Sequence, residues 1–358
     1  MKILVIGQFY AEGFATFIAD ELERLRHDVV RYDPGLSLPP TGSKAGFYLN
    51  RAIGLGYQTI RSATRRIGFG GDARSLRRLV ERSGLIDLTI CSHDYLSPSD
   101  AVGVKKITKA PLVLWYPDPV WSFRKHMFLN APFDHIFLKD PYLVDLLRRN
   151  LRAPVAYLPE AYSPSSLKSV ETSSQVDDKY TADICTAGNL YAYRVAFFQN
   201  LSDMNIKIWG LPAPLWMNLG DVKPMVQNRF VAHSEKVRAF RGAKIVINNL
   251  NPAEVWGTNV RTFEICGAGG FQVLDFRPGL SQLFELDREV VAFQCVDDLR
   301  KKVWHYLNSP DERREIAEAG QRRAAREHTY AHRLHLLLDT VAGRSSGFPE
   351  PKITTSVH

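Results

Sequence analysis

The chain has 358 residues, 45% of them hydrophobic and 23% charged, and a formal net charge of +8. This composition is ordinary for a globular protein and excludes extensive disorder, while the length exceeds the size at which one core usually keeps growing, so two domains are expected. The cysteines lack the spacing of zinc sites and predict buried free thiols in a reducing compartment; they are Cys91, Cys185, Cys266 and Cys295. No apolar stretch approaches the ~20 residues of a membrane span. The N-terminal strand is too short for a signal peptide, so a cytoplasmic protein is predicted.

Apolar runs alternate with helical patterns along the chain, which predicts mostly parallel sheets with crossover helices. In the first half, strands are predicted at residues 3–6, 29–32, 85–91, 112–116, 136–138 and 155–158, with helices at 15–26 and 73–83. In the second half, strands are predicted at residues 182–186, 206–209, 245–247, 271–275 and 290–293, with long helices from residue 296. The predicted fold class is therefore α/β, with two Rossmann-like domains, residues 1–162 and 181–335, facing each other across a cleft. A polar linker, residues 163–180, joins them, and a tail, residues 336–358, either packs back or is disordered.

The segment from Lys244 to Phe276 predicts a strand, a polar loop, a short helix, a glycine turn and a second strand. Thr258 or Asn259 can cap the helix, and an amide-rich helix start beside Arg261 suits a phosphate. Glu264 lies on the same helix face, where a carboxylate can accept hydrogen bonds from ribose hydroxyls. The segment therefore predicts a nucleotide site, whose candidate residues are Asn259, Arg261, Thr262 and Glu264.

This segment resembles the donor-binding motif of GT-B glycosyltransferases, and most closely that of the group similar to the spore maturation protein CgeB. The shared features are the helix Val260-Arg-Thr-Phe-Glu264 and the glycine turn that follows it. Further short motifs fall in the family's order over roughly residues 1–335, among them Leu112-Val-Leu-Trp-Tyr-Pro-Asp118 and Phe133-Asp-His-Ile-Phe-Leu-Lys-Asp140. The resemblance implies transfer of a sugar from a nucleoside diphosphate sugar, with a UDP-sugar as first choice, to an acceptor hydroxyl. The sugar donor is a co-substrate, and no cofactor is implied.

Two further turns of the second half are candidate donor contacts. Gly188, Asn189 and Tyr191 directly follow the first strand, so backbone amides there can approach a diphosphate, and Arg194 is near enough in sequence to add charge. The alternative is a plain strand-to-helix turn in which Gly188 only relieves crowding.

The resemblance implies that Trp209, Gly210 and His233 line the pocket of the nucleobase. A core tryptophan is an equally good interpretation of Trp209. Similarly, Arg261 and Glu264 could form only a solvated helical ion pair, which would contribute tenths of a kcal/mol.

One position departs from the family. Many retaining GT-B enzymes carry a second glutamate eight positions before the one that corresponds to Glu264, but here that position is Trp256. Glu254 is close but out of register. Retention or inversion of the sugar is therefore not implied, and a non-catalytic nucleotide-sugar-binding protein is an alternative.

The first half should supply a group that accepts the proton of the acceptor hydroxyl. Candidates follow three predicted strands: Glu12, His93 and Asp118, with Asp94 next to them. Prolines on both sides hold Asp118 in an extended loop, which is a good catalytic placement. An aspartate that caps a helix and a histidine that packs in a turn are the alternatives.

Other chemistries fit the sequence less well. No Gly-x-Gly-x-x-Gly or Walker loop is present, and the absence of Asp-x-Asp predicts a transferase without a metal. The stretch from Arg61 to Arg82 contains seven arginines and two acids, or 7 − 2 = +5, with apolar residues before and within it. It predicts either a solvated helical face or a surface for anionic lipid at the inner membrane face. A basic nucleic-acid or membrane adaptor is the last alternative, although nucleic-acid binding would leave Glu264 unexplained. For the transferase, the class of the acceptor stays open: it is a glycan, a lipid-linked molecule, a small molecule or a protein.

Overall fold

The computed structural model describes residues 1–34, 71–120, 127–167 and 178–351. The chain forms two compact units. Unit 1 comprises Met1–Leu138 and Leu147–Ala156, and unit 2 comprises Lys139–Leu146 and Tyr157–His358. Unit 2 is therefore discontinuous in the chain, because the segment Lys139–Leu146 belongs to it but lies before its main part, which begins at Tyr157.

Unit 1 is built on a six-stranded sheet with the strand order β2-β1-β3-β4-β5-β6. Its strands are β1 (Lys2–Ile6), β2 (Asp28–Tyr32), β3 (Leu88–Cys91), β4 (Leu112–Tyr116), β5 (His135–Leu138) and β6 (Val155–Tyr157). β1 pairs in parallel with β2 and β3, and β4 pairs in parallel with β3 and β5. Every residue of β3 and β4 is buried, as expected for parallel strands covered on both faces.

The helices in this part of the chain are α1 (Phe14–Arg24), α2 (Gly71–Ser83), α3 (Pro98–Thr108) and α4 (Pro141–Leu151). α1 buries the apolar face expected from its sequence, with Phe17, Ile18 and Leu22 in the core. α3 begins with a capping box in which the Ser97 side chain accepts from the Asp100 amide.

Unit 2 contains a five-stranded sheet with the order β11-β10-β9-β7-β8. The strands are β7 (Ala182–Ala187), β8 (Ile206–Trp209), β9 (Ala243–Asn248), β10 (Gln272–Asp275) and β11 (Val291–Phe293), and the pairs are parallel. Because β7 lies between β8 and β9, the chain moves to one side of β7 first and to the other side later. This reversal marks the place where open α/β sheets bind ligands, at the carboxyl ends of the strands.

The helices of unit 2 are α5 (Pro164–Leu167), α6 (Ala192–Gln199), α7 (His233–Gly242), α8 (Val260–Ala268), α9 (Val296–Asn308), α10 (Pro310–Glu327) and α11 (Tyr330–Val341). α8 is the helix predicted from the nucleotide motif. Asn259 is its N-cap and accepts from the Thr262 amide, which confirms one of the two predicted caps. Gly269 ends the helix with φ of +79°, a left-handed conformation that glycine adopts without strain.

The tail after α11 packs back on unit 2 as far as it is described. The Phe348 amide donates to the Tyr157 carbonyl at 2.9 Å, and the two rings meet edge to face at 5.5 Å. Arg333 of α11 lies over the Phe348 ring at 4.8 Å. These contacts attach the described part of the tail to Tyr157, the last residue of β6, and to α11.

Two predicted features lie partly outside the described residues. The basic stretch from Arg61 to Arg82 is described from residue 71 onward, where it forms α2. The predicted linker is described at residues 163–167 and 178–180, and the first of these pieces contains the short helix α5. Across the described ranges, no helix combines the length and the apolar character that crossing a bilayer requires.

Candidate active site

The loop after β7 lies at the chain reversal of unit 2 and contains a glycine that no other residue could replace without a shift. Gly188 has φ of +126°, and its amide donates to the Trp209 carbonyl at 2.8 Å. A Cβ atom at this position would lie 2.8 Å from Nη1 of both Arg194 and Arg261. Gly210 is equally constrained, because its Cβ would lie 2.5 Å from the Gly188 carbonyl oxygen. Gly188 thus lets two guanidinium groups approach the backbone, and Gly210 lets the Gly188 carbonyl approach closely.

Arg194 is fully buried at the start of α6 and organises this turn. Its guanidinium donates to the oxygens of four surrounding residues, Thr186 (Oγ1), Ala187 (carbonyl, 3.3 Å), Asn189 (carbonyl, 3.3 Å) and Asn249 (Oδ1, 2.9 Å). Burial lowers the pKa of Arg194, and the nearby charge of Arg261 lowers it further. Arg194 therefore holds the loop in place as well as adding positive charge.

Arg261 extends from the first turn of α8 towards the same loop. Its Nη1 donates to the Ala187 carbonyl at 2.6 Å. Burial lowers the pKa of Arg261, and Tyr191 is the first of several groups that oppose this shift. In the described part of the chain, neither Arg194 nor Arg261 forms an ion pair with a carboxylate. Neither guanidinium is therefore neutralised by a direct ion pair in the described residues, although the carboxylates of Glu264, Glu160 and Glu254 act on Arg261 from a distance.

Glu264 lies one turn further along α8 and is buried. Its Oε1 accepts from Lys236 Nζ of α7 at 2.8 Å, whereas its Oε2 accepts no hydrogen bond from the described residues. The alternative of a solvated pair between Arg261 and Glu264 is not formed, since each side chain has a different partner. Oε2 is the atom that could accept a ribose hydroxyl.

Asn259 and Thr262 belong to an amide network under the start of α8. Asn248 Nδ2 lies 3.0 Å from Asn259 Oδ1 and 3.0 Å from Thr262 Oγ1, and Asn259 Nδ2 donates to Asn248 Oδ1 at 3.1 Å. The network connects the carboxyl end of β9 to the helix. Beside it, the buried Asn249 Nδ2 has no partner among the described residues. Asn259 and Thr262, which were predicted to contact the sugar donor, therefore hold the start of α8 in position.

The loop between β9 and α8 is held by a carboxylate that the sequence interpretation missed. Asp140 is buried, and its Oδ2 accepts the amides of three successive residues, Val255 (2.9 Å), Trp256 (2.9 Å) and Gly257 (3.1 Å). Its Oδ1 accepts the Tyr142 amide at the start of α4. The sequence analysis found the motif that ends at Asp140 as part of the family resemblance, but it did not predict that the Asp140 side chain holds this loop.

Next to Asp140, Lys139 is buried between two glutamates. Its Nζ lies 2.6 Å from Glu254 Oε1 and 3.2 Å from Glu160 Oε2. All three side chains are at most 7% exposed, so solvent screens the charges little. Glu254 is therefore held in the loop that contains Trp256, the position where the resembling family carries its second glutamate.

The predicted nucleobase residues occupy different environments. Trp209 is 2% exposed and packs against Tyr180 with ring centroids 5.5 Å apart, so it is a core residue; its Nε1 has no hydrogen-bond partner within the described chain. His233 is exposed at the start of α7 with φ of +47°. Tyr191 precedes α6 as its N-cap residue, and burial raises its pKa.

In unit 1, two of the three predicted catalytic residues are in contact. His93 Nε2 and Asp118 Oδ2 are 2.7 Å apart. The Asp94 amide donates to His93 Nδ1 at 2.7 Å, so Nε2 carries the ring proton and donates it to Asp118. The pair follows β3 and β4, which are neighbours in the sheet.

The remaining candidate, Glu12, lies in the turn after β1. Its φ of +63° is unusual for a residue with a side chain, and it is half-buried. Tyr10 in the same turn was not predicted; the residue is 56% exposed, yet desolvation and the charge of Asp118 raise the pKa of its hydroxyl. Among the described residues, no cluster of three or more His, Cys, Asp or Glu side chains is arranged to hold a metal ion.

Comparison with known proteins agrees with this architecture. Residues 194–339 match the family described as glycosyl transferase-like. HepE of Anabaena, solved in complex with UDP-glucose, superposes with a TM-score of 0.64 at 12% identity, covering 96% of this chain and 100% of that chain. A glycosyltransferase of Rickettsia africae gives 0.61 at 10% identity, covering 96% and 98%. A UDP-forming α,α-trehalose-phosphate synthase of Burkholderia vietnamiensis gives 0.61 at 14% identity, covering 96% and 100%.

These likenesses define the fold class of the protein. It has the α/β fold of the GT-B glycosyltransferases, as predicted, and it carries a glycosyl transferase-like domain in unit 2. Among curated proteins, none matches the sequence significantly.

Proposed function

We propose that the protein is a glycosyltransferase that moves a sugar from a nucleoside diphosphate sugar to an acceptor hydroxyl. The observation that carries this proposal is the arginine pair, Arg194 and Arg261, around the Gly188 loop without an acidic partner among the described residues. A diphosphate brings the negative charge that this pair lacks, and it leaves as an anion when the sugar is transferred.

The donor we propose is a UDP-sugar. HepE of Anabaena, which has the same fold, was solved with UDP-glucose and with UDP. In this arrangement Arg261 contacts the diphosphate, Glu264 Oε2 accepts a ribose hydroxyl, and Arg194 positions the loop. Trp209 acts from the core by shaping the pocket of the base, with Gly210 and His233 nearer to the ligand.

For the transfer step we propose Asp118 as the group that accepts the acceptor's proton. Both nitrogens of His93 are engaged when Nδ1 accepts from the Asp94 amide and Nε2 donates to Asp118. His93 is then the residue that orients the carboxylate, and Asp118 is the base. Glu12, which follows β1 at the same edge of the sheet, is the next candidate for the base.

We also propose that the transfer needs no divalent metal, because the arginine pair and the start of α8 can neutralise the leaving diphosphate. Turnover in EDTA should equal turnover in its absence. Activity that disappears in EDTA and returns with Mn²⁺ would contradict this point.

A second candidate function is binding of a nucleotide sugar without transfer. It is favoured by Trp256 at the position of the family's second glutamate, with Glu254 already paired to Lys139. Membership of the CgeB-like group, a cytoplasmic location and contact of the basic stretch with anionic lipid remain predictions, as does the acceptor, which could be a glycan, lipid-linked molecule, small molecule or protein.

The decisive experiment measures release of free nucleoside diphosphate from a panel of donors, with and without cell extract as the source of acceptor. Release of UDP that depends on the extract supports the transferase. Tight UDP binding by calorimetry without turnover, in the presence of extract, would favour the binding protein. Absence of both would reject the nucleotide-sugar assignment.

A further inference from the structure

A concave site that is separate from the Gly188 loop lies on unit 2. It is found where β9 and β10 begin, at the opposite edge of the sheet. Its volume is about 320 Å³. Among the described residues that line it, none is acidic and four are cationic: Arg241 of α7, Lys244 of β9, and Arg313 and Arg314 of α10. We call it the basic cavity. Its lining belongs to four elements that meet at one place, and Gly269 and Gly270 form part of the wall.

Two of the four cations have a carboxylate partner on the surface. Lys244 Nζ is 2.7 Å from Asp183, and Arg314 is 2.9 Å from Asp311. These side chains are between 35% and 77% exposed, so each pair is weak and readily exchanges its partner.

The other two cations have no acidic partner among the described residues. Arg241 Nε donates to the Ala268 carbonyl at 2.6 Å, and Arg313 Nη1 donates to the carbonyls of Tyr306 and Leu307. Carbonyl oxygens fix the two guanidinium groups without cancelling their charge. The basic cavity therefore has about two uncompensated positive charges held in a defined geometry.

The surrounding backbone adds to this preference for an anion. α10 begins at Pro310, which lines the cavity, and the start of a long helix carries a partial positive charge. The volume is at the lower end of the roughly 300–1,000 Å³ that is typical of small-molecule sites. The cavity is thus large enough for a compact ligand and not only for an ion.

We propose that the basic cavity binds the phosphate group of a small phosphorylated molecule. A phosphate monoester carries close to two negative charges at neutral pH, which matches the two uncompensated guanidinium groups. Arginine is well suited to its oxygens because the planar fork can donate two parallel hydrogen bonds. This site is separate from the arginine pair, and its existence does not depend on the proposed transfer reaction.

The test is calorimetric titration of the whole 358-residue chain with inorganic phosphate and with glucose 6-phosphate at constant ionic strength. The double variant Arg241→Gln/Arg314→Gln removes two positive charges from the basic cavity. Arg313 is kept because its hydrogen bonds support the end of α9. The matched control is Arg238→Gln with Arg322→Gln, which removes the same charge from exposed positions of the same two helices outside the cavity. We expect the cavity variant to weaken binding roughly tenfold or more, and the control less than twofold.

Phosphate could also bind at the Gly188 loop, so the titrations are repeated on Arg261→Ala. Retained binding there, together with loss in the cavity variant, supports the proposal. Equal loss in the cavity variant and its control would show diffuse charge attraction and overturn it, as would binding that disappears in Arg261→Ala. A last arm uses vesicles that contain phosphatidic acid. Binding to these vesicles without binding of either soluble phosphate would also overturn the proposal of a small ligand.

Discussion

The two roles of Glu264 can be separated by a pair of substitutions. The carboxylate is paired with Lys236, and both side chains are buried, at 11% and 9% exposed. Glu264→Gln therefore does two things: it replaces the charged acceptor proposed for the ribose by a neutral amide oxygen, and it breaks the ion pair with the buried Lys236. Breaking a buried pair on one side costs roughly 3–5 kcal/mol of stability. Loss of a charged hydrogen bond to the ligand, worth ~1.5–3 kcal/mol, weakens binding about tenfold to a hundredfold.

Adding Lys236→Met removes the positive charge of the pair while it keeps much of the side-chain volume. The free energy of unfolding of the double variant should recover most of the loss, since replacing both members of a buried pair is often close to neutral. Binding of UDP should not recover, because the neutral amide oxygen of glutamine accepts a ribose hydroxyl more weakly than a carboxylate does. Chemical denaturation measures the first quantity, and calorimetry with UDP on folded protein measures the second.

Glu318→Gln on the exposed face of α10 is the matched control, because it makes the same chemical change where the side chain is 58% exposed. Both its stability and its UDP affinity should stay close to those of the unmodified protein. If the double variant regains stability and UDP affinity together, Glu264 has only a structural role, and its assignment to the ribose is wrong.

Three further outcomes are expected. Asp118→Asn should lower turnover roughly a hundredfold to ten-thousandfold with little change in donor affinity, and His93→Gln should lower it less; a few-fold effect in both would move the base elsewhere. Asp140→Asn should destabilise the protein by a few kcal/mol, since three loop amides lose a charged acceptor, whereas Asp287→Asn on the surface should not; equal unfolding free energies would refute the role of Asp140. Burial lowers the pKa of His328 to about 3, below the ordinary 6.5. The contribution of His328 to the free energy of unfolding is therefore fully present above pH 6.5 and is lost as pH falls towards 3. At pH 5 this loss is about 2 kcal/mol. His328→Gln should flatten this part of the stability profile measured by denaturation, and an unchanged slope would contradict the assignment.

The sequence predicted local features well where a few neighbouring residues determine the outcome. The nucleotide helix begins at the predicted cap, Asn259, because its side chain and the Thr262 amide are three residues apart. The strand predicted at residues 85–91 is shorter and begins at Leu88, since Leu85 is 79% exposed and contributes nothing to the sheet. His93 and Asp118 were proposed as rivals, yet they form one hydrogen-bonded pair.

Contacts between distant residues could not be predicted in this way. Lys236 and Glu264 are 28 positions apart, and Asp140 accepts amides that lie 115 to 117 positions later. No periodicity connects such positions, because the pairing depends on how the strands are ordered in the sheet. Arg194 shows the same limit: its distance from Gly188 indicated a role for its charge, but not that loop oxygens surround its guanidinium.

The Asp140 contact also has a consequence for how the protein is made. A chain is synthesised from its N-terminus, so Lys139 and Asp140 leave the ribosome long before the loop at residues 255–257 exists. The Asp140 carboxylate therefore stays without these partners until most of unit 2 has been translated. Such long-range contacts are slow to form. A fragment that starts at residue 181, a natural choice for studying nucleotide binding alone, would lack both residues, and its loop would have no carboxylate to hold it. Expression of unit 2 as an independent piece should therefore include residues 139–146 together with residue 157 onward.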